Sequence, residues 1–378
     1  AAMDFEFNDL QRMLKDGAER FVEKEYGFEQ RRQLASGEPG FSDDHWATFA
    51  ELGWLGLTLP ESSGGFGGSP VDTLVLMEAF GRGLVLEPYL PTAVLGGVLL
   101  PHLPETGHAE LIDGVAGGRH KLALAYAEPQ GRYDPARVRT AAERDAGGYL
   151  LSGEKAVVLG GHVADFFVVS ARTGGGPADR QGISLFLVPA DAPGLTRRSY
   201  RTLDGGGAAE LRLDGVSVGG EALIGVEGDG LEPLERALDA GIAAVCAEAV
   251  GCMAAVTDLT VEYLKTRKQF GMPIGAFQAL QHRAVDMFVA TEQSRSMAYM
   301  AAVKVQLPDA GERRRYLSAA KQFVSEAGTR VAQEAVQLHG GIGVTDEYAA
   351  SHYFKRLTAL SRWFGDARYH LARFAALP

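Results

Sequence analysis

The sequence predicts an α+β chain in three successive parts: a helical N-terminal domain over residues 1–120, a middle antiparallel β-barrel or sandwich over 121–226, and a C-terminal four-helix bundle over 227–378. Three observations predict it. Apolar residues recur at three- and four-residue spacing near the start, short β-type runs separated by Gly, Asp and Pro fill the middle, and four long helical stretches follow Asp229.

From Phe5 to about Leu100 the spacing is helical, with Leu10, Met13, Leu14, Ala18, Phe21 and Val22 marking one face. The segment "PESSGGFGGSP" from Pro60 to Pro70 is too rich in Gly, Ser and Pro to continue a helix, and a second helix is expected from Val71 to about Gly83. The middle part carries the runs "LALAYA", "GYLLSG", "KAVVLG", "DFFVVSA", "ISLFLVP" and "AELRLDGVSV". Between two of them, "RTGGGPADRQG" reads as an exposed hairpin turn or as a plain linker. Four helices are then expected over Leu231–Gln269, Phe277–Leu307, Glu312–Leu338 and Asp346 to near the end, with Asp229 as an N-cap and Pro308 and Gly340 as stops. The first of these, around "AGIAAVCAEAVGCMAAV", is apolar nearly all round and is expected inside the bundle.

Composition narrows the function. With 37 Lys and Arg against 48 Asp and Glu, the net charge is -11, which disfavours nucleic acid and anionic membrane as general partners. The start has no basic segment leading into an apolar run, so neither a secretory signal nor a membrane span is expected, and a cytoplasmic location is. Ala1 and Ala2 ahead of Met3 read as a cloning remnant. Cys246 and Cys252, six residues apart on one helix, lie too far apart for a disulfide and are expected in the core. No metal site is expected.

Three motifs carry a resemblance: "LGWLGLTLPESSGGFGG" at Leu52–Gly68, "RKQFGMPIGAFQALQHRAVDM" at Arg267–Met287, and "QLHGGIGVTDEY" at Gln337–Tyr348. In this order, within helical, β and helical parts, the chain resembles the acyl-CoA dehydrogenase family over nearly its whole length. The resemblance implies that family's fold, FAD as cofactor, an acyl-CoA substrate, and an oligomer in which "RKxFG" and "QxxGG" residues reach the adenosine diphosphate arm of a neighbour's FAD. Carried over, it nominates Arg267, Gln269, Phe270, Phe277, Gln278, His282, Gln337, Gly340 and Gly341. The chemistry suits a diphosphate, since an arginine offers charge-assisted donors and a Gly-Gly turn exposes backbone N–H groups. The alternative for Arg267 is a helix C-terminal cation, and for His282 an ordinary interface or core histidine.

The catalytic positions depart from the pattern. The family's reaction needs a carboxylate to take the α proton. Its "YEGT" glutamate falls at Phe364 in "RWFGDARYHL", and the alternative position on the first long bundle helix falls at Gly241; neither can accept a proton. Asp366, Asp239 and Glu248 are the nearby carboxylates, and each reads as a solvated or structural group rather than as the base. The "TEPxAGSD" loop appears as "AEPQGRYD", keeping Glu128, Pro129 and Asp134 but replacing hydroxyl positions by Ala127 and Tyr133. In "KAVVLGG", Val157 stands for the aromatic over the flavin and Leu159 for the hydroxyl near N5; Asp366 replaces a further hydroxyl. The losses fall on groups serving FAD in the same subunit, and the retained motifs on groups reaching a neighbour's. That pattern resembles the non-catalytic small subunit of heteromeric bacterial acyl-CoA dehydrogenases, those of pimeloyl-CoA dehydrogenase included, which act on sterol side chains or dicarboxylyl-CoA substrates. The other readings are a self-sufficient homodimeric or tetrameric dehydrogenase with a non-standard base, and an acyl-CoA-binding or scaffold protein without flavin chemistry.

Overall fold

The computed structural model describes residues 7–104 and 109–377; Phe5 and the Ala1–Met3 start lie outside them. By internal contacts the chain forms two compact units, one of residues 1–33, 70–85 and 242–378, the other of 34–69 and 86–241.

The first unit is helical. It holds α1 (Asp9–Glu25) and, after α2 (Phe28–Ser36) and α3 (Asp43–Glu51), α4 (Pro70–Gly83). Asn8 and Gln11 form a reciprocal capping box at the start of α1, and Gln11 Nε2 also donates to Asp72 Oδ1 at 2.9 Å, tying α1 to α4. Beyond α5 (Gly96–Leu99) and α6 (Ala109–Ala116), the long helices are α7 (Leu231–Thr266), α8 (Gln278–Lys304), α9 (Ala310–His339), α10 (Ala349–Leu360) and α11 (Ala367–Ala376). Where α4 crosses α7 the backbones touch: a Cβ at Gly81 would strike the Glu248 carbonyl, and one at Gly251 the Glu78 carbonyl. Cys252 donates to the Gly81 carbonyl at 3.2 Å, and both cysteines are free and buried. By length and composition α7 could cross a membrane, but 89% of its most apolar window is buried inside the protein.

Three helix expectations are corrected. The helix α7 opens at Leu231 with Leu234 N–H bonded to the Gly230 carbonyl, while Asp229 forms a β-bridge to Ile183; Asp229 is therefore not its N-cap. The helix ends at Thr266, because the chain turns into a short hairpin of β9 (Lys268–Gln269) and β10 (Met272–Pro273). The last expected helix is two, divided at residues 361–366, where Phe364 (φ 57°) and Gly365 (φ 119°) leave helical space. Gly340 does stop α9, at φ 63°.

The second unit is built on a sheet ordered β6-β7-β3-β2-β4-β5-β8, with β1 also paired to β4; the strands before the hairpin are β1 (Leu122–Ala125), β2 (Ala141–Arg144), β3 (Gly148–Leu159), β4 (Phe166–Arg172), β5 (Ile183–Pro189), β6 (Leu195–Arg201), β7 (Gly207–Gly219) and β8 (Leu223–Ile224). Alternate residues bury a core of Leu151, Phe167, Val169, Phe186, Val188, Leu211 and Leu213, with Tyr149 tilted over Phe186 at 4.8 Å. Most strand pairs are antiparallel as expected, with two exceptions. The pair β1–β4 is parallel along its length and β2–β4 at Ala141–Arg172, because the crossover between β1 and β4 is made by the β2–β3 hairpin rather than by a helix. "RTGGGPADRQG" does join an antiparallel pair, with Arg172 opposite Ile183, but its root is buried: the Arg172 guanidinium donates to the carbonyls of Ala136, Val138, Asp179 and Gln181.

Candidate cofactor-facing site

The nine nominated residues gather at one end of the helical unit. Tyr263 in the last turn of α7 stacks on His339 at the end of α9, with ring centroids 4.6 Å apart, and Arg283 near the start of α8 pairs with Glu334 of α9 at 2.5 Å. Three helix ends are thereby held together. Arg267 follows α7 directly, its N–H bonded to the Tyr263 carbonyl at 2.8 Å. Phe270 and Gly271, both at positive φ, make the tight turn of the β9–β10 hairpin, and Phe270 is 89% exposed, edge-on to Phe277 at 6.1 Å. Gln278 and His282 lie in the first turns of α8, and Gln337, Gly340 and Gly341 close α9; all are exposed. Among the described residues the Arg267 side chain makes no hydrogen bond or ion pair. A Cβ built at Gly340 or Gly341 would meet nothing within 4 Å among the described residues, while the Gly340 N–H is bonded back to the Gln337 carbonyl. His282 is not a core histidine, which leaves its interface and cofactor-wall readings open.

The loop at the expected base position is held by more side chains than its length requires. Lys321 of α9, 1% exposed, uses its three donors on the Leu360 carbonyl at 2.9 Å, the Gly365 carbonyl at 3.0 Å and Ser325 Oγ at 3.1 Å. His370 Nε2 donates to the Phe364 carbonyl at 3.0 Å while Ser318 bonds its Nδ1 at 3.3 Å. Burial first, then the charges of Lys321 and Arg373, pushes His370 down to about 3, so it is neutral. Asp366 caps α11 by accepting from Tyr369 N–H at 2.9 Å. Arg356 lies 4.5 Å over the Trp363 ring and donates to Glu248 at 2.6 Å. In the middle of this frame Phe364, 8% exposed, keeps a left-handed backbone that a bulky residue adopts only under constraint.

In the β unit, the segment after β1 is anchored from below. Glu128, buried, accepts from Lys155 Nζ and Thr140 Oγ1, each at 2.7 Å, from Arg139 N–H at 2.8 Å and from Thr140 N–H at 3.0 Å. Burial raises its carboxyl pKa, but the Lys155 charge and these hydrogen bonds outweigh it and hold it at about 2. Ala156 N–H bonds to the Ala127 carbonyl at 2.9 Å, and the β3–β7 register slips between Lys155 and Val158. The bulge turns Val157 outward at φ 52° and 54% exposure. A β-branched residue there is strained. Tyr133 and Leu159 are half-buried, and Asp134 closes its own turn by accepting from Ala136 N–H at 3.0 Å.

Family models match three successive stretches: "Acyl-CoA dehydrogenase, N-terminal domain" at residues 8–110, "middle domain" at 123–216 and "C-terminal domain" at 228–376. A "Probable acyl-CoA dehydrogenase YngJ" of Bacillus subtilis (strain 168) is 31% identical over 364 residues, 93% of each chain. The chain belongs to the acyl-CoA dehydrogenase family. Among solved structures, a Tcur3481-Tcur3483 steroid ACAD variant matches at a TM-score of 0.86 and 31% identity over 97% of both chains. The ChsE4-ChsE5 complex from Mycobacterium tuberculosis matches at 0.87 and 26% identity over 100% of both. The fold is the acyl-CoA dehydrogenase fold, and the family is one of FAD-dependent oxidoreductases.

The two faces of this acyl-CoA dehydrogenase chain differ in how they suit FAD. At the helical end, Arg267, whose side chain makes no hydrogen bond or ion pair among the described residues, and the exposed Gly340–Gly341 turn fit a diphosphate. In the β unit, Val157 and Leu159 offer a flavin ring no side-chain hydrogen bond, although the bulge and the Glu128 anchor fix the backbone there. The three nearby carboxylates all have protein partners. Glu248 is 2% exposed and paired with Arg356, Asp366 is spent as a helix cap, and Asp239 is 1% exposed and already bonded. Sequence reasoning missed Lys321, His370, Arg356 and the Tyr263–His339–Tyr348 cluster. A lysine in the otherwise apolar and small run "LSAAKQF" was a signal for the first; the others meet across long stretches of chain. Among the described residues, no three His, Cys, Asp or Glu group to hold a metal.

Proposed function

We propose that this chain is the base-less subunit of an FAD-dependent acyl-CoA dehydrogenase, and that it completes the FAD site of a base-bearing partner. The observation that carries the reading is the contrast between two places in one unit. At residue 364 an intact, strained loop holds a buried phenylalanine where a carboxylate is needed, while Arg267, Gln269, Phe270, Phe277, Gln278, His282, Gln337, Gly340 and Gly341 remain exposed at the helical end. A carboxylate must take the α proton of the acyl-CoA while bound FAD accepts the β hydrogen as hydride. This chain supplies no such group at Phe364 or Gly241. Its contribution is to hold a diphosphate arm through Arg267 and the Gly340–Gly341 backbone and to cover that arm with Phe270 and Phe277. The named two-component relatives, the Tcur3481-Tcur3483 steroid ACAD and the ChsE4-ChsE5 complex, support a heteromeric assembly, and the first name favours a steroid-derived acyl-CoA. We keep as part of the proposal the division into 1–120, 121–226 and 227–378 and a cytoplasmic location.

Purification decides between this reading and a self-sufficient enzyme. Expressed alone the chain is expected colourless and inactive; co-expressed with a family member that carries the glutamate, it is expected to co-purify with one FAD per heterodimer. A yellow protein, active by itself on acyl-CoA, overturns the proposal.

A further inference from the structure

Three aromatic rings lie beneath the exposed helical end, one on each of the segments that meet there. Tyr263 stands one turn before Arg267, His339 immediately precedes Gly340, and Tyr348 closes the segment that leads from the Gly-Gly turn to α10. Their centroids are 4.6 Å apart for Tyr263–His339, 5.0 Å for His339–Tyr348 and 6.4 Å for Tyr263–Tyr348. The middle ring is immobilised: His339 is 2% exposed and its Nδ1 donates to the Ala335 carbonyl one helical turn back, at 2.7 Å. Tyr263 passes its position straight to Arg267, whose N–H it accepts through its own carbonyl. Arg267, Gln337, Gly340 and Gly341 around the stack are exposed, and the rings, together with the Arg283–Glu334 pair, join the arginine-bearing helix end to the Gly-Gly turn.

We propose that Tyr263, His339 and Tyr348 are positioning residues for diphosphate binding, setting the distance between Arg267 and the Gly340–Gly341 turn. The proposal rests on the reading of that end as a diphosphate site. Aromatic rings suit the task because they are rigid and pair in preferred tilted arrangements, and a phosphate clamp that slips by about 1 Å loses much of its value. Aliphatic side chains of similar size keep the burial but not the mutual orientation.

The test is amide hydrogen exchange of the Gly340–Thr345 segment in the full-length chain, with and without millimolar ADP, the diphosphate arm alone. Tyr263→Leu and Tyr348→Leu are expected to speed exchange there about tenfold without ADP, the scale of losing aromatic pairs, and to abolish ADP protection. Tyr263→Phe and Tyr348→Phe, which keep the rings, should match the parent. Arg267→Ala should leave ADP-free exchange unchanged and lose the protection. If both leucine variants exchange like the parent and remain protected by ADP, the positioning role is wrong. If the parent itself gains no protection from ADP, the diphosphate reading falls, and the ADP-free rates still decide whether the rings hold the turn. Should Tyr263→Leu fail to fold, the half-buried Tyr348 gives the same comparison.

Discussion

Replacing Glu128 by leucine should be among the most destabilising single changes in the β unit. The carboxylate has five donors on it: backbone N–H groups of Arg139 and Thr140, the Thr140 hydroxyl, Gln130 Nε2, and a lysine with no exposed side-chain surface. Leucine removes all five hydrogen bonds, leaving Lys155 Nζ with only Ser170 Oγ, at 3.1 Å. Breaking one partner of a buried pair costs about 3–5 kcal/mol, because the remaining charge is uncompensated. The acid response gives an independent figure. A carboxyl held at about 2 rather than 4.5 contributes stability that is fully present above pH 4.5 and lost as pH falls towards 2, about 3 kcal/mol by linkage. Urea unfolding at neutral pH should therefore show a loss of that size for Glu128→Leu, and the variant should lose the parent's stability change between pH 4.5 and 2. Adding Lys155→Met should restore much of the loss, since an apolar pair leaves no buried charge. A Glu128→Leu cost below about 1 kcal/mol, or a double variant no better than the single, would refute the reasoning.

Other consequences are as specific. His370, at about 3 against 6.5 when unfolded, makes stability fall as pH drops from 6.5 towards 3, because the unfolded chain takes up a proton that the folded one refuses; His370→Gln, which keeps a donor near the Phe364 carbonyl, should flatten that part of a melting-temperature against pH curve. Gly251→Ala should force α4 and α7 apart and cost about 1–3 kcal/mol by overpacking, read from the denaturant midpoint. Phe364→Glu alone should yield little acyl-CoA-dependent flavin bleaching, because Tyr133, Val157 and Leu159 remain and base and flavin must be in register; bleaching at the rate of the base-bearing partner would show that only a carboxylate was missing.

The helical, β and helical succession was legible because helix and strand leave different apolar periods, and the Gly340 stop because a helix end needs a residue free to take positive φ. The parallel β1–β4 pairing was not, since periodicity reports that a strand exists and not which neighbour it finds. The exposed end set could be nominated from two motifs about 70 residues apart, but the contacts that bring them together, Tyr263 on His339 and Arg283 with Glu334, join residues far apart in sequence. The empty base position was read directly at Phe364. That its loop would persist, with Lys321 and His370 still gripping three carbonyls around it, could not be, because backbone acceptors leave no mark in a sequence.

The central claim is that this chain holds part of a cofactor site whose base lies elsewhere, and Arg267→Ala in the assembled complex tests it most directly. The substitution removes an exposed guanidinium that makes no hydrogen bond or ion pair among the described residues, so folding should be unaffected. Losing one charge-assisted contact to a diphosphate, about 1.5–3 kcal/mol, should weaken FAD affinity roughly ten- to a hundredfold, measured as flavin release from the purified assembly, even though the altered chain carries no base. Flavin content and affinity unchanged by Arg267→Ala would contradict it.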